Sequence, residues 1–185
     1  IWLSGGVDSS VIAALALRHV KKLQSFVSGL DSSSDVFYGT RAAEHFGIHH
    51  RIVKVTLQDL LSVLPQVIYH LESFDALLVR SSLTNYLTSK VAADYVGGIF
   101  SGEGGDELFA GYDYIKNFPL DEVPAELEDI MMRLHNTALQ RVDRCSQANG
   151  LTAFTPFTDR EVVDFALKIP AKYKLMQRGN NKIEK

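Results

Sequence analysis

The chain has 185 residues, of which 46% are hydrophobic and 22% charged, a composition typical of one ordinary globular domain. The 19 Lys and Arg residues against 22 Asp and Glu residues leave a formal charge of −3, without the basic surplus of constitutive nucleic-acid binders. The single cysteine excludes an internal disulfide and a multi-cysteine zinc site, and no apolar run approaches the roughly 20 residues that span a bilayer. We therefore expect a cytoplasmic protein with no nucleic-acid or membrane partner.

The first hundred or so residues alternate short apolar segments with helical patterns. Strands that alternate with helices of this length imply right-handed crossovers and a parallel sheet with helices on both faces, which is an α/β fold. The predicted strands are residues 1–3, 26–27, 50–55 and 99–100. The predicted helices are residues 11–20, 34–47, 57–71 and 82–95, with a kink or break at Pro65.

The pattern becomes helical only after Phe118 and Pro119, with one long or broken helix over 124–149 and a shorter one over 160–168. We therefore predict an α/β core over 1–118 and a helical extension over 119–185. The chain begins with Ile1 inside an apolar segment rather than with Met, so we expect it to be a piece of a longer protein.

A glycine-rich loop follows the first predicted strand and precedes a helix, at residues 4–10 (Ser-Gly-Gly-Val-Asp-Ser-Ser). Its glycines permit close backbone approach, its hydroxyls donate hydrogen bonds, and a helix N-terminus attracts an anion, so the loop suits a phosphate. Asp8 would repel a phosphate unless a divalent cation lay between them, which favours a Mg²⁺ ligand. The alternative is a glycine turn in which Asp8 or Ser9 caps the helix.

A second loop, residues 101–107 (Ser-Gly-Glu-Gly-Gly-Asp-Glu), follows the fourth predicted strand and places three carboxylates among glycines. Such a cluster is costly when it is unpaired, so metal coordination or a catalytic carboxylate explains it. The alternative is a solvated acidic turn that caps a helix from Leu108. Together the two loops predict a site with phosphates and Mg²⁺ between Asp8 and Asp106, and with Glu103 near the reacting atoms.

These loops resemble the synthetase domain of the glutamine-dependent asparagine synthetases, among the pyrophosphate-loop ATP hydrolases. Residues 4–10 match that family's pyrophosphate loop, which several ATP pyrophosphatases share. Residues 101–112 (Ser-Gly-Glu-Gly-Gly-Asp-Glu-Leu-Phe-Ala-Gly-Tyr) match its more specific second signature. Weaker matches lie in order along the chain, at residues 28–29, 72–75, 80–82, 141–144, 156–159 and 182–185.

The resemblance implies one ATP-dependent synthetase domain over 1–185. In that family a carboxylate attacks the α-phosphate of ATP, releases pyrophosphate, and the resulting acyl-adenylate transfers its acyl group to an amine. In asparagine synthetases the acid is aspartate and the amine is ammonia from glutamine. The resemblance therefore implies ATP and Mg²⁺ as cofactors, a glutaminase domain or subunit as a partner, and a possible homodimer.

Site residues follow from the resemblance position by position. The adenine and ribose pocket would be lined by Leu3, Ser4, Ser28, Ser101 and Gly102, and the pyrophosphate would be held by Gly5, Gly6, Ser9 and Ser10. Mg²⁺ would be held by Asp8 and Asp106. Positive charge at the phosphates would come from Arg80 and Lys185, and the proton of the attacking nitrogen would go to Glu103.

The chain departs from the family pattern at three places. Residues 152–159 read Thr-Ala-Phe-Thr-Pro-Phe-Thr-Asp where the family usually reads Glu-Ala-Arg-Val-Pro-Phe-Leu-Asp, so a Glu and an Arg are replaced. The usual Ser-x-Pro after Arg80 is here Ser-Ser-Leu. The amino-terminal glutaminase domain with its first-residue cysteine is absent from the sequence, and Cys145, in mid-helix, cannot replace it.

Two other functions stay open at this point. A transfer-RNA-modifying ATP pyrophosphatase uses a similar first loop, although such enzymes generally need a basic surface or reactive cysteines. A nucleotide-binding module that has lost catalysis is compatible with the replacements in 152–159, although retention of Asp8, Glu103 and Asp106 argues against it.

Overall fold

A computed structural model describes residues 1–30, 32–178 and 181–184 of the chain. It contains two compact units, each made of two segments. The first unit comprises Ile1–Ser101 and Thr137–Phe154, and the second comprises Gly102–Asn136 and Thr155–Lys185. The structure thus divides the chain at other places than the predicted boundary after residue 118, because residues 137–154 pack with the first unit.

Two pairs of parallel strands form the sheet of the first unit. Strand β1 (Gln24–Gly29) pairs with β2 (His49–Lys54), with Val27 opposite Ile52. Strand β3 (Gly98–Phe100) pairs with β4 (Thr152–Phe154). The predicted α/β fold with parallel strands is confirmed.

Residues 1–3 connect the two strand pairs through backbone hydrogen bonds. The Leu3 N–H donates to the Phe26 carbonyl at 2.9 Å, and Trp2 forms a parallel bridge with Phe26. On the other side, the Trp2 N–H donates to the Phe100 carbonyl at 2.9 Å. The spatial order is therefore β2, β1, residues 1–3, β3 and β4. The strand order reverses beside residues 1–3, and ligands of open α/β sheets bind at such a reversal.

The helices predicted over 34–47 and 57–71 have those bounds to within one residue, whereas the helix predicted over 11–20 lies at 7–16 and the helix predicted over 82–95 lies at 76–92. Thr56 and Asp59 form a capping box, in which the Asp59 N–H donates to Thr56 Oγ1 at 3.2 Å and the Thr56 N–H donates to Asp59 Oδ2 at 2.8 Å. The helix after this box continues through Pro65, which was expected to kink or break it. The α-helices of the described residues are α1 (Val7–Ala16), α2 (Ser34–Phe46), α3 (Leu57–Leu71), α4 (Ala76–Ala92), α5 (Gly105–Phe109), α6 (Val123–Arg133), α7 (Ala138–Gln147), α8 (Arg160–Leu167) and α9 (Ala171–Lys174).

The prediction of helix alone after residue 119 is wrong at two places. Strand β4 joins the sheet of the first unit, and an antiparallel hairpin of β5 (Leu175–Arg178) and β6 (Asn181–Glu184) follows α9. A strand of three residues is too short to show the alternation that identifies a strand in sequence. The expected break in the helical region does occur, since a 3-10 turn at Leu134–Asn136 separates α6 from α7.

Each unit has its own apolar core. In the first unit the core between sheet and helices comprises Phe26, Ala92, Ile99 and Leu151. In the second unit the core comprises Ala110, Ile115, Val123, Leu127, Ala171 and Leu175. None of the helices in the described part of the chain is both long and apolar enough to cross a membrane.

Candidate active site

The first loop leaves the sheet at Leu3, which is 1% exposed, and enters α1 at Val7. Gly5 turns the chain with a φ of +79°, a conformation that residues with a side chain rarely adopt. A Cβ atom at Gly5 would lie 2.3 Å from the backbone carbon of Tyr38 on α2. The glycine is therefore required both by its dihedral angle and by the close approach of α2.

Serine hydroxyls hold the shape of this loop. Ser4 Oγ accepts a hydrogen bond from the Gly6 N–H at 3.3 Å and lies 3.3 Å from Ser9 Oγ. The Ser9 hydroxyl donates to the Gly6 carbonyl at 3.2 Å and is buried. Ser4, which was predicted to line the adenine and ribose pocket, and Ser9, which was predicted to hold the pyrophosphate, thus order the loop.

Helix α1 begins directly from this loop, with Gly6 as the N-cap and no side-chain cap bond. The alternative interpretation, in which Asp8 or Ser9 caps the helix, is therefore wrong. Asp8 lies in the first turn and is half-buried. The first N–H groups of a helix have no partner within the helix, so this end of α1 can attract an anion.

The other predicted pocket residues of the first unit also lie at strand ends. Ser28 is the next-to-last residue of β1 and is half-buried. Ser101 follows β3, is 3% exposed, and donates its N–H to the Phe154 carbonyl at 2.8 Å. Because parallel strands have their carboxyl ends at one edge, Leu3, Ser28 and Ser101 end at the same edge of the sheet.

The second loop, residues 101–107, is the acidic loop, and it continues from Ser101 into the short helix α5. Gly104 precedes the helix with a φ of +99°, and Glu103 before it is half-buried. Asp106 and Glu107 lie in the first turn of α5 rather than in a turn before it. The helix thus begins at residue 105, three residues before the start at Leu108 that the alternative of an acidic capping turn assumed.

The three carboxylates of this loop differ in their surroundings. Asp106 is exposed, whereas Glu107 is 4% exposed and accepts a hydrogen bond from the Tyr112 hydroxyl at 2.5 Å. Burial raises the pKa of Glu107, the bond from Tyr112 lowers it, and the negative charges of Glu103 and Asp106 raise it again. The three carboxylates of the loop therefore lie close enough in the second unit for their charges to act on one another.

The residues present fit a divalent cation by their chemistry. Mg²⁺ takes oxygen ligands and usually one or two carboxylates together with substrate phosphates and water. The Asp106 side chain packs against the backbone of Gly111. A Cβ atom at Gly111 would lie 1.9 Å from Asp106 Oδ1, and the Gly111 N–H donates to the backbone carbonyl of Asp106 at 3.0 Å. Within the described residues, no three or more His, Cys, Asp and Glu side chains gather as a complete protein-only metal site.

The predicted site residues are divided between the two units. The first unit holds Asp8 and the other predicted nucleotide-binding residues through Ser101, and the second holds Gly102, Glu103 and Asp106. Arg80 lies on α4 in the first unit with an exposed side chain. Lys185 lies outside the described residues.

Two supporting residues were missed by sequence analysis. Gly39 on α2 approaches the first loop so closely that a Cβ atom there would lie 2.3 Å from the Leu3 carbonyl oxygen. An isolated glycine inside a helical pattern was the available signal for this contact. Tyr112, which bonds to Glu107, carried no comparable signal beyond its place in the second motif.

Comparisons with known proteins agree with the two motifs. The family described as asparagine synthase has a model that matches residues 1–127 and 121–185. Glutamine-hydrolyzing asparagine synthetase 3 of Arabidopsis thaliana is 34% identical over 197 residues, which cover 100% of this chain and 34% of that protein. Glutamine-hydrolyzing asparagine synthetase of Gallus gallus is 35% identical over 189 residues, which cover 97% of this chain and 34% of that protein.

The chain thus spans about a third of the length of the curated relatives that it matches. The similarity extends over both units and includes the glycine-rich loop and the acidic loop. The chain belongs to the asparagine synthase family.

Proposed function

We propose that this chain is an ATP-dependent, amide-forming ligase domain that adenylates the side-chain carboxylate of aspartate and transfers the acyl group to ammonia. The observation that carries the proposal is the position of residues 1–3 between β1 and β3, fixed by the bonds of Trp2 and Leu3. The glycine-rich loop therefore leaves the sheet where its strand order reverses, which is where open α/β sheets bind nucleotides.

The nucleotide is assigned to the edge formed by the strand ends. Leu3, Ser4, Ser28, Ser101 and Gly102 line the adenine and ribose pocket in this proposal. Gly5, Gly6, Ser9 and Ser10 hold the pyrophosphate part of ATP, where the start of α1 supplies N–H groups and the positive end of the helix dipole.

The proposed reaction has two steps. An aspartate carboxylate oxygen forms a bond to the α-phosphorus of ATP, and the bond from that phosphorus to the bridging oxygen breaks to release pyrophosphate. Ammonia then attacks the acyl carbon, and AMP leaves with the electron pair of the broken acyl–oxygen bond. Glu103 accepts the proton that the attacking nitrogen loses.

Charge stabilisation is the main task of the chain in the first step. Asp8 and Asp106 hold Mg²⁺ in this proposal, and the bound ion supplies positive charge to the phosphate oxygens. Arg80 and Lys185 add positive charge as the negative charge on the departing pyrophosphate grows. The exposed position of Arg80 leaves its guanidinium accessible to a ligand.

The relatives are named as glutamine-hydrolyzing enzymes. We therefore propose that ammonia reaches this domain from a glutaminase domain or subunit. A cytoplasmic location and a homodimer complete the proposal and stay predictions.

Calorimetric titration with ATP, with and without Mg²⁺, tests the proposal on the wild-type chain and on Asp8→Asn. We expect Mg²⁺-dependent binding that Asp8→Asn weakens by at least about tenfold, because one carboxylate ligand of a divalent ion is lost. Asp35→Asn is the matched control, since Asp35 occupies the first turn of α2 as Asp8 occupies that of α1. Equal binding by wild type and Asp8→Asn would remove the metal assignment.

The replacements at Thr152 and Phe154 favour one second candidate, a nucleotide-binding domain without catalysis. Pyrophosphate release in the presence of ATP, Mg²⁺, aspartate and ammonia separates the two. We expect release by the wild-type chain and loss of release in Asp106→Asn. ATP binding without any release would favour the second candidate.

A further inference from the structure

A pair of threonine hydroxyls closes the turn between β4 and α8. Thr155 Oγ1 and Thr158 Oγ1 lie 2.7 Å apart, and the Thr158 hydroxyl donates to the Thr155 carbonyl at 2.8 Å. The Thr158 hydroxyl has one proton and donates it to that carbonyl. In the bond between the two hydroxyls, Thr155 is therefore the donor and Thr158 the acceptor. The pair therefore satisfies both hydroxyl protons within the turn.

The acidic loop lies directly against this turn, inside the second unit. A Cβ atom at Gly104 would lie 3.1 Å from Phe157 Cβ and 3.1 Å from Thr158 Cγ2. Gly104 is buried and has a φ of +99°. The backbone that separates Glu103 from Asp106 is thus seated on residues 157 and 158.

Two further contacts anchor the turn. The Phe157 ring packs edge-to-face on Phe109 of α5, with ring centroids 6.1 Å apart. After the turn, Asp159 Oδ1 accepts a hydrogen bond from the Glu161 N–H at 2.9 Å and caps α8. Because the turn is held at both ends, a change in its shape would move α5 and the acidic loop.

The two hydroxyls of the pair are not equivalent. The half-buried Thr155 hydroxyl loses its acceptor when residue 158 has no hydroxyl, whereas the Thr158 hydroxyl keeps the carbonyl of residue 155 as its acceptor in either case. Thr158 is therefore the member of the pair whose loss leaves a hydroxyl without its acceptor.

We propose that Thr158, through its hydroxyl pair with Thr155, is a positioning residue that sets the place of Glu103 and Asp106 for amide formation. This inference rests on the proposed function. Thr158 acts through Gly104, because its methyl group forms the surface on which that residue rests.

The test compares Thr158→Val, Thr155→Val and the double variant with wild type. Valine keeps the branched shape of threonine and has a methyl group in place of the hydroxyl. Thr158→Val removes the acceptor of Thr155 and leaves that hydroxyl unsatisfied, whereas the double variant contains neither hydroxyl. Thr88→Val is the matched control, since Thr88 is 4% exposed and donates its hydroxyl to the Thr84 carbonyl on α4 of the first unit.

Amide hydrogen exchange reports on the loop without any need for activity. The Gly105 N–H donates to the Gly102 carbonyl at 3.3 Å and the Leu108 N–H donates to the Gly104 carbonyl at 3.0 Å. We expect these amides to exchange about tenfold faster in Thr158→Val. Thr155→Val and the double variant stay within about threefold of wild type.

Pyrophosphate release under saturating aspartate and ammonia gives the catalytic readout. We expect Thr158→Val to lower kcat by about tenfold and to raise the KM for ATP, since Asp106 is a proposed Mg²⁺ ligand, and we expect the double variant to recover most of both losses. Unchanged exchange in Thr158→Val, a double variant as defective as that single variant, or faster exchange with unchanged kcat would each overturn the proposal. Absence of release by wild type would instead overturn the proposed function, while the exchange data would still decide whether the pair holds the loop.

Discussion

The buried carboxylate of the acidic loop accepts a hydrogen bond from a tyrosine hydroxyl. Glu107 is 4% exposed, and its Oε1 accepts a hydrogen bond from Tyr112 at 2.5 Å. We expect Tyr112→Phe to lower the free energy of unfolding by about 2 kcal/mol, because a buried acceptor would lose one of its donors. Chemical denaturation at neutral pH measures this change.

Tyr114→Phe is the matched control for this variant. The Tyr114 hydroxyl makes an equally short bond of 2.6 Å, to Glu126, but the bond is exposed to water. Its removal should cost less than about 1 kcal/mol, since water replaces the lost donor. Equal losses in the two variants would mean that burial of Glu107 does not decide the cost.

At the scale of elements, helix α2 supports the first loop by backbone contact. A Cβ atom at Gly39 would lie 2.3 Å from the Leu3 carbonyl oxygen. Alanine favours a helix over glycine by about 1 kcal/mol, but the contact should outweigh this gain and leave Gly39→Ala less stable by about 2 kcal/mol. The melting temperature and the affinity for ATP in the presence of Mg²⁺ check the prediction, and we expect both to be lower in Gly39→Ala.

Gly97→Ala, in the turn before β3, is the comparison variant for Gly39→Ala. A Cβ atom at Gly97 would have no neighbour within 4 Å, and its backbone does not have a positive φ. We expect this variant to bind ATP like wild type and to be more stable than wild type by up to about 1 kcal/mol, because alanine restricts the unfolded chain more than glycine does. A Gly39→Ala protein that is as stable as Gly97→Ala would contradict the close contact between α2 and the loop.

For the molecule as a whole, a buried lysine makes stability depend on pH. Lys174 is 4% exposed beside Pro124, Leu127 and Leu167, and burial lowers the pKa of its amine from 10.5. The unfolded chain therefore binds more protons between the lowered pKa and 10.5, so this contribution to stability rises with pH across that window. Below the window the full cost of burying the charge applies.

We accordingly expect Lys174→Met to be more stable than wild type at neutral pH, by on the order of 1 kcal/mol. The advantage should shrink as the pH approaches 10.5, because the Lys174 amine then loses its proton in the unfolded wild-type chain as well as in the folded one. Melting temperatures measured from pH 7 upward test this trend. Lys172→Met, at an exposed position on α9, should show no such trend, and a pH-independent advantage of Lys174→Met would contradict the burial of a charge.

Local sequence carried the two motifs and most of the helices. Turns and helix ends depend on side chains a few positions apart, so neighbouring residues determine them. This holds for the glycine-rich loop, the acidic loop and the caps at Thr56 and Asp75. The parallel α/β class also followed from the alternation of elements.

The sequence by itself determined the α/β class and the two loops, and its similarity to other proteins determined the family. Only the tertiary structure decided that β4 pairs with β3, that Gly39 touches Leu3 and that Thr158 supports Gly104. Each of these contacts joins residues more than thirty positions apart, and no local periodicity records which distant residue a side chain will meet. The position of the motifs was thus readable in the chain, whereas the residues that hold them in place emerged from packing.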